Sequence, residues 1–444
     1  MELACGHDAP PYDLPVCEHI RTAAEEVDFS IHYTGRGLEH RRICALCRQD
    51  AEQGWPVASG RICEDCSDTS YGSVVGSVGR PEVIDASRPV PGAGPLVPFP
   101  AEAGTVVDLA PTEQGLLLLA ADGRILLWDP ETGSCAEKAR STVTVRADAK
   151  PWCGHKETLR LHASRNGRFA AVAVDFGGTG EVLELEAGTV TMELRHDNYH
   201  SDTVPYSLLF TVHGGRDVVV HRTRWNRIAA TDPATGEPVA LMPREEEETE
   251  AAWTHCFYGA LHLSPAGTRI ASDGWMWHPV GQPVTWDLAR WFAEGEAAWT
   301  GETPAVDFVR LPPVAYHWNR PMVWLDEDRF VLGGLGEDDE AMVPGARVFD
   351  VTRSVDLGRL YSGPDETATF GGPEGRFFAA DGLLFSAGGP GLEIWEPTSG
   401  ARIGSVPGFH PTHHDPVRNE LVQLTEEGIR RRPATGTPSP DRTG

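Results

Sequence analysis

The sequence predicts an all-β repeat protein of seven units, preceded by a small cysteine-rich module. Three observations lead there. A short phrase recurs along the 444 residues: WDPETG at 128–133, TDPATG at 231–236, WEPTSG at 395–400 and RRPATG at 431–436, with looser copies LEAG (185–188), WDLAR (286–290) and FDVTR (349–353). Copies lie roughly 36 to 63 residues apart, a period that belongs to solenoids, propellers and arrays. A second phrase, a polar Gly or Pro turn followed by an apolar β-rich run, precedes most copies. Finally, six of the nine cysteines fall within residues 5–66.

Residues 1–71 form the first unit in chain order. Cys44-x2-Cys47 and Cys63-x2-Cys66 are fifteen residues apart, the pattern of a four-thiolate zinc site. Each CxxC turn offers two sulfurs to one tetrahedral ion, and four thiolates leave no open position for hydrolysis. Upstream, Cys5-Gly6-His7 and Cys17-Glu18-His19 supply four more ligands of the right type. One Zn²⁺ is therefore expected and two can be accommodated, with His32 and His40 as spare ligands. The pairs could be used consecutively or alternately, and spacing does not choose. The module is similar to zinc-ribbon, treble-clef or RING-like Cys/His modules, and the alternating scheme would resemble the RING cross-brace. So short a segment has too few apolar residues for a core of its own, and metal would supply much of its folding energy. Its six Arg stand against thirteen Asp or Glu, a poor basis for holding phosphates.

Residues 72–104, rich in Gly, Pro and Val, read as a linker carrying at least one short strand. From 105 to 436 the two phrases alternate. LAPTEQGLLLLAADGRILLWDPETG begins at 109, ASRNGRFAAVAV at 163, LSPAGTRIAS at 263 and GGPEGRFFAADG at 371. Two hairpins per unit make four short antiparallel strands, one blade of a β-propeller. These first and second turns resemble those of the WD40 and quinoprotein-like β-propeller families, a resemblance that implies a propeller and no particular activity; the seven copies of the turn phrase set the expected number of blades. Two units, SLLFTVHGGRDVVV and VWLDEDRFVLGG, depart from the pattern. The last copy ends at 436 and residues 437–444 read as a disordered tail, so the seventh blade is one strand short. A strand from about 73–87 is expected to pair with 417–432 and close the ring, because an open edge would invite aggregation.

Candidate functional residues are few. Aligning the first turns places Asp108, His162, His262 and His413 near the central channel, where they could hold a metal or an acidic ligand or simply pack between blades. Eight of thirteen tryptophans lie between 253 and 324, as blade packing or as a binding hot spot. Acidic runs Glu245 to Glu248 and Glu337 to Glu340 read as solvated loops. Cys153 echoes the Cys-Gly-His spacing without a partner pair. No nucleophile, base and orienting group recur at workable spacing.

A formal charge of −27 argues against nucleic acid as a partner. No apolar run is long enough for a membrane span, and no signal peptide is visible, so the expectation is a cytoplasmic monomer. The expected function is a non-catalytic protein-interaction scaffold. The alternatives are a metal-dependent propeller hydrolase or lactonase acting on a small molecule at the channel mouth, and a RING-like ligase.

Overall fold

The computed structural model describes residues 82–435 apart from short connecting segments (196–198, 242–256, 278–279, 296–307, 316–317, 337–341 and 357–361), together with the backbone of five strands between residues 13 and 78. Those five strands form one sheet: β1 (Asp13–Cys17), β2 (Phe29–Tyr33), β3 (His40–Cys44), β4 (Ser59–Cys63) and β5 (Ser77–Val78), in the order β4-β1-β3-β2-β5. Cys5, His7, His19, Cys47 and Cys66 lie outside the described residues, as do Cys256, the two acidic runs and the tail 437–444.

The remainder is a seven-bladed β-propeller. Blades 1 to 3 comprise residues 106–140, 158–195 and 208–241, each a meander of four antiparallel strands. Blade 4 (257–315) is expanded to six strands, blade 5 (322–371) has two long outer strands, and blade 6 spans 376–407. Blade 7 contributes only 413–415, 420–424 and 428–433 from its own segment.

Alternation along the second strand of each blade explains the continuous apolar runs. In blade 1, Leu117 and Leu119 face blade 2, while Leu116 and Leu118 face blade 7. In blade 2, Ala170, Val172 and Val174 face blade 1, and Ala171 and Ala173 face blade 3. A strand sandwiched on both faces has no polar side, so its period of two appears only in which neighbour each residue meets. Among the described residues, one apolar cluster fills each of the seven junctions between blades.

The recurrent phrase does the turn chemistry expected of it. Asp129 accepts from the Glu131 N–H at 3.0 Å and from the Thr132 hydroxyl at 2.7 Å. Gly133 donates its N–H back to the Asp129 carbonyl at 2.8 Å with φ 75. Asp232 with Gly236 and Glu396 with Gly400 repeat this arrangement. WDLAR departs from it. Asp287 there accepts from the Arg290 N–H at 2.7 Å and caps a helix, α1 (Leu288–Glu294), that buries Leu288, Trp291 and Phe292 on one face. With neither Pro nor Gly after the capping Asp, an apolar i, i+3, i+4 pattern continues as helix instead of turning.

Ring closure follows expectation in kind and departs from it in position. Two further strands precede blade 1: β6 (Ile84–Asp85) and β7 (Val97–Pro98). The missing fourth strand of blade 7 is β7, with Val97 opposite Ile429 and Pro98 opposite Gly428. The expected 73–87 segment goes elsewhere. Ser77 and Val78 pair in parallel with Ser30 and Ile31, and Ile84 and Asp85 lie in parallel along the outer strand of blade 6 at Ala401 and Arg402. Burial explains the choice. Val97 and Phe99 enter the apolar junction with Trp128, Val422 and Ile429, whereas Val83 and Ile84 remain exposed.

Candidate functional site

The four channel residues sit on innermost strands but do not act as one group. Asp108 of blade 1 accepts the Leu161 N–H of blade 2 at 2.8 Å, pairs with His413 Nε2 of blade 7 at 2.9 Å and lies 3.6 Å from Arg160 Nη1. Burial works against its charge, yet His413 and Arg160 hold its carboxyl below the ordinary carboxylate range. Arg160 Nε bonds Asp175 at 3.1 Å, and Asp175 in turn accepts the Tyr206 N–H of blade 3 at 3.1 Å. Asp273 of blade 4 repeats the device by accepting the Arg320 N–H of blade 5 at 3.0 Å. At three of the seven junctions these carboxylates tie one blade to the backbone leading into the next, which is a structural use of the groups.

His162 and His262 stand apart. Burial pushes both imidazoles down to about 4, and His162 Nε2 is buried without a hydrogen-bond partner. His262 borders a cavity of about 590 Å³ whose wall also includes Arg320, Arg376 and His410. Among the described residues no group of three or more His, Cys, Asp and Glu is arranged to hold a metal ion. A larger cavity, about 720 Å³, lies off the channel at blade 2, lined by Arg146, Glu157, Glu181 and Arg195.

The most distinctive surface is aromatic. All inner strands begin on the same face of the ring, here the upper face. The loops between blades and the hairpins joining second to third strands also emerge there. Trp152, Tyr199, His200 and Trp318 lie in inter-blade loops, Trp225 in a hairpin of blade 3, and Phe257 and Trp275 at the ends of blade 4 strands. Their rings form a continuous series. Trp152 and Trp318 are 6.1 Å apart between centroids, Trp318 and Trp275 5.1 Å, Trp275 and Phe257 4.2 Å, Phe257 and Trp225 4.4 Å, and Phe257 and Tyr199 5.6 Å. His200 sets its edge on Trp275 at 5.2 Å. Each such pair contributes on the order of 0.5–1.5 kcal/mol beyond area burial. Phe257 and Trp275 form the buried middle of the series, whereas Trp152 is 46% and Tyr199 55% exposed.

Backbone strain concentrates on the same face. Five non-glycine residues have positive φ among those described, and three of them, Phe176 (61), His200 (49) and Asn319 (59), belong to upper-face loops. Asparagine and histidine are the commoner non-glycine residues there, but Phe adopts it at a cost of about 1–3 kcal/mol, and such residues gather at functional sites. Phe176 lies flat on His155, 4.1 Å between centroids and 8° between planes, and Asn319 Nδ2 reaches His155 Nε2 at 3.3 Å.

The tryptophans of the 253–324 run whose side chains are described therefore divide. Trp286, Trp291 and Trp324 are core packing, while Trp275 and Trp318 belong to the upper-face series. Trp152, Phe176, Tyr199, His200, Trp225 and Phe257 were not legible as site residues, since only ring closure brings their loops together.

No family model matches the chain, and no curated protein matches it. Solved structures do. One is the β-propeller domain of Cps50 (Swd1) from Myceliophteria thermophila, with 15% identity over 75% of this chain and 98% of that one, at a TM-score of 0.45. The seven-bladed assignment rests on this chain's own strand pairing. No helix among the described residues is long and apolar enough to cross a membrane.

Proposed function

We propose that the chain is a non-catalytic protein-interaction scaffold: a rigid propeller whose upper face receives a partner, joined to an N-terminal module held by zinc. The observation that carries this is the aromatic series with Trp152 and Tyr199 at its exposed edge. Trp and Tyr offer large contact area at small entropic cost and dominate binding hot spots. The partner segment is basic. The chain carries −27 overall. The strands ending at Leu241 and Leu335 and those starting at Phe257 and Val343 meet at the upper face, and the sequence between them holds Glu245 to Glu248, Glu250 and Glu337 to Glu340.

Zinc fits the donor set of Cys5, His7, Cys17, His19, Cys44, Cys47, Cys63 and Cys66. Of these, Cys17, Cys44 and Cys63 each terminate a strand of the N-terminal sheet. When bound, the ions would act as structural cross-links with closed coordination. Protein contacts of the whole chain test the scaffold reading. Partners captured by the wild type should be lost by Trp152→Ala/Tyr199→Ala, whose melting temperature should stay within a few degrees. Identical partner sets for the two proteins would contradict it.

A further inference from the structure

The cavity of about 590 Å³ at the channel runs against the charge of the chain around it. The sequence holds 65 Asp and Glu against 38 Lys and Arg. Yet among the described residues none that lines this cavity is acidic, while Arg320, Arg376, His262 and His410 all do. From that lining we propose that the upper end of the channel is a binding site for a small organic anion, a carboxylate or phosphate group on a partly apolar body, with Arg376 as the group that recognises the charge.

The order of the elements places these groups together. Arg376 opens the inner strand of blade 6 (Arg376–Ala380). Arg320 lies two residues before that of blade 5 (Met322–Trp324), and His410 to Thr412 lead directly into that of blade 7 (His413–Asp415). All inner strands begin at the upper face, so three neighbouring blades bring these groups to that mouth of the channel. His262, sixth of the seven residues of its strand, continues the wall inward from blade 4.

Arg376 is where the charge is left uncompensated. Its Nη1 donates to the Thr412 carbonyl at 3.1 Å, and among the described residues it has no ion-pair partner. The carboxylates whose fields it feels are already engaged, Asp108 by His413, Arg160 and the Leu161 N–H, and Asp175 by Arg160 and the Tyr206 N–H. Burial, and after it the Arg160 guanidinium, works against the positive charge of Arg376, and Asp108 and Asp175 offset this only in part. The residue is nonetheless exposed, so a solute in the channel reaches it. An oxyanion there would restore the balance, and the guanidinium fork matches a carboxylate or phosphate with paired donors.

The neighbours set the rest of the ligand. Arg320 donates to the Pro312 and Gly333 carbonyls at 3.5 and 3.4 Å, which holds a second positive charge at the wall. Burial keeps the His262 imidazole down at about 4, so near pH 7 it is neutral and supplies one N–H. Pro321, Met322, Phe377 and Phe378 make the lining partly apolar. The volume falls in the range of roughly 300–1,000 Å³ that holds small molecules, which leaves room for a body beyond the anionic group. None of the rings of the aromatic series lines this cavity, so the inference stands apart from the scaffold reading.

Calorimetric titration of the purified full chain tests it with phenyl phosphate, benzoate, inorganic phosphate and the uncharged benzyl alcohol. Phenyl phosphate and benzoate should bind saturably, phenyl phosphate more tightly than inorganic phosphate, and benzyl alcohol not measurably. Arg376→Gln should weaken phenyl phosphate about tenfold or more, and Arg376→Lys should recover part of that loss. Trp152→Ala/Tyr199→Ala should leave it unchanged, which separates failure here from failure of the scaffold reading. Should Arg376→Gln not fold, protection of Arg376 from phenylglyoxal by phenyl phosphate, read by mass spectrometry on the wild-type chain, gives the answer without a variant. No saturable binding of any anion, equal binding of benzyl alcohol, full affinity in Arg376→Gln or no protection of Arg376 would each overturn the proposal. So would a Glu-rich peptide that binds through Arg376 while the small anions do not, since the cavity would then receive a partner's acidic side chain.

Discussion

His221 is buried and His162 and His262 are partly buried, and desolvation pushes each imidazole from 6.5 down to about 4. As pH falls, the unfolded chain takes up these protons first. The stability they contribute is complete above about 6.5 and drains away between 6.5 and 4. Linkage at pH 5 puts the loss at about 2 kcal/mol for His221 and less for the partly exposed His162 and His262. Asp273 works in the opposite sense. Burial raises its carboxyl to about 6, so the folded chain takes that proton first and recovers roughly 1 kcal/mol over the same descent. Urea unfolding at pH 7.5 and pH 5 should show a net loss of several kcal/mol, and equal stability at both would contradict the assignment. Asp108 makes the second prediction at this scale. It serves the Leu161 N–H, His413 and Arg160 together, so Asp108→Ala should cost about 3 kcal/mol by leaving buried partners unmet. Calorimetry can check this, and a loss under 1 kcal/mol would show the carboxylate to be dispensable.

Among the elements, β7 (Val97–Pro98) does the most for its length. Besides its ladder to Gly428 and Ile429, the Phe99 N–H reaches the Glu427 carbonyl at 3.0 Å and the Gly94 N–H reaches the Arg431 carbonyl at 2.8 Å. Chains beginning at residue 83 should keep the oligomeric state of the full chain and unfold cooperatively. Chains beginning at residue 102 should melt markedly lower and associate through the bared edge of blade 7. Size-exclusion chromatography and thermal melts decide, and similar behaviour of the two truncations would contradict this role. Local chemistry explains what could be read beforehand. Asp129, Asp232 and Glu396 each organise a turn within five residues, so seven repeats and their hairpins were visible in the chain. Closure was visible only as a need, because a two-residue Val-Pro strand carries no local signal and its partner lies more than 300 residues away. The helix α1 was missed for a related reason: WDLAR resembles the turn phrase until the missing Pro and Gly are weighed.

At the scale of the whole molecule, seven apolar junctions make a stiff ring, and the loops on its upper face carry what the interior does not need. Trp152, Tyr199, Trp225 and Trp318 come from four separate loops, so their convergence belongs to the ring and not to any stretch of sequence. The strongly acidic balance of the chain was legible from composition, and the face it complements was not. Together they underlie the proposal that this face binds basic protein segments. Titration of the full chain with Lys/Arg-rich, uncharged and Glu-rich peptides of equal length, at low and high salt, tests it most directly. The basic peptide should bind best, weaken as salt rises, and lose about tenfold or more in affinity, a cost of roughly 1.4 kcal/mol or above, in Trp152→Ala/Tyr199→Ala. Binding without charge preference, or binding that both substitutions leave unchanged, would rule out a basic partner at this face.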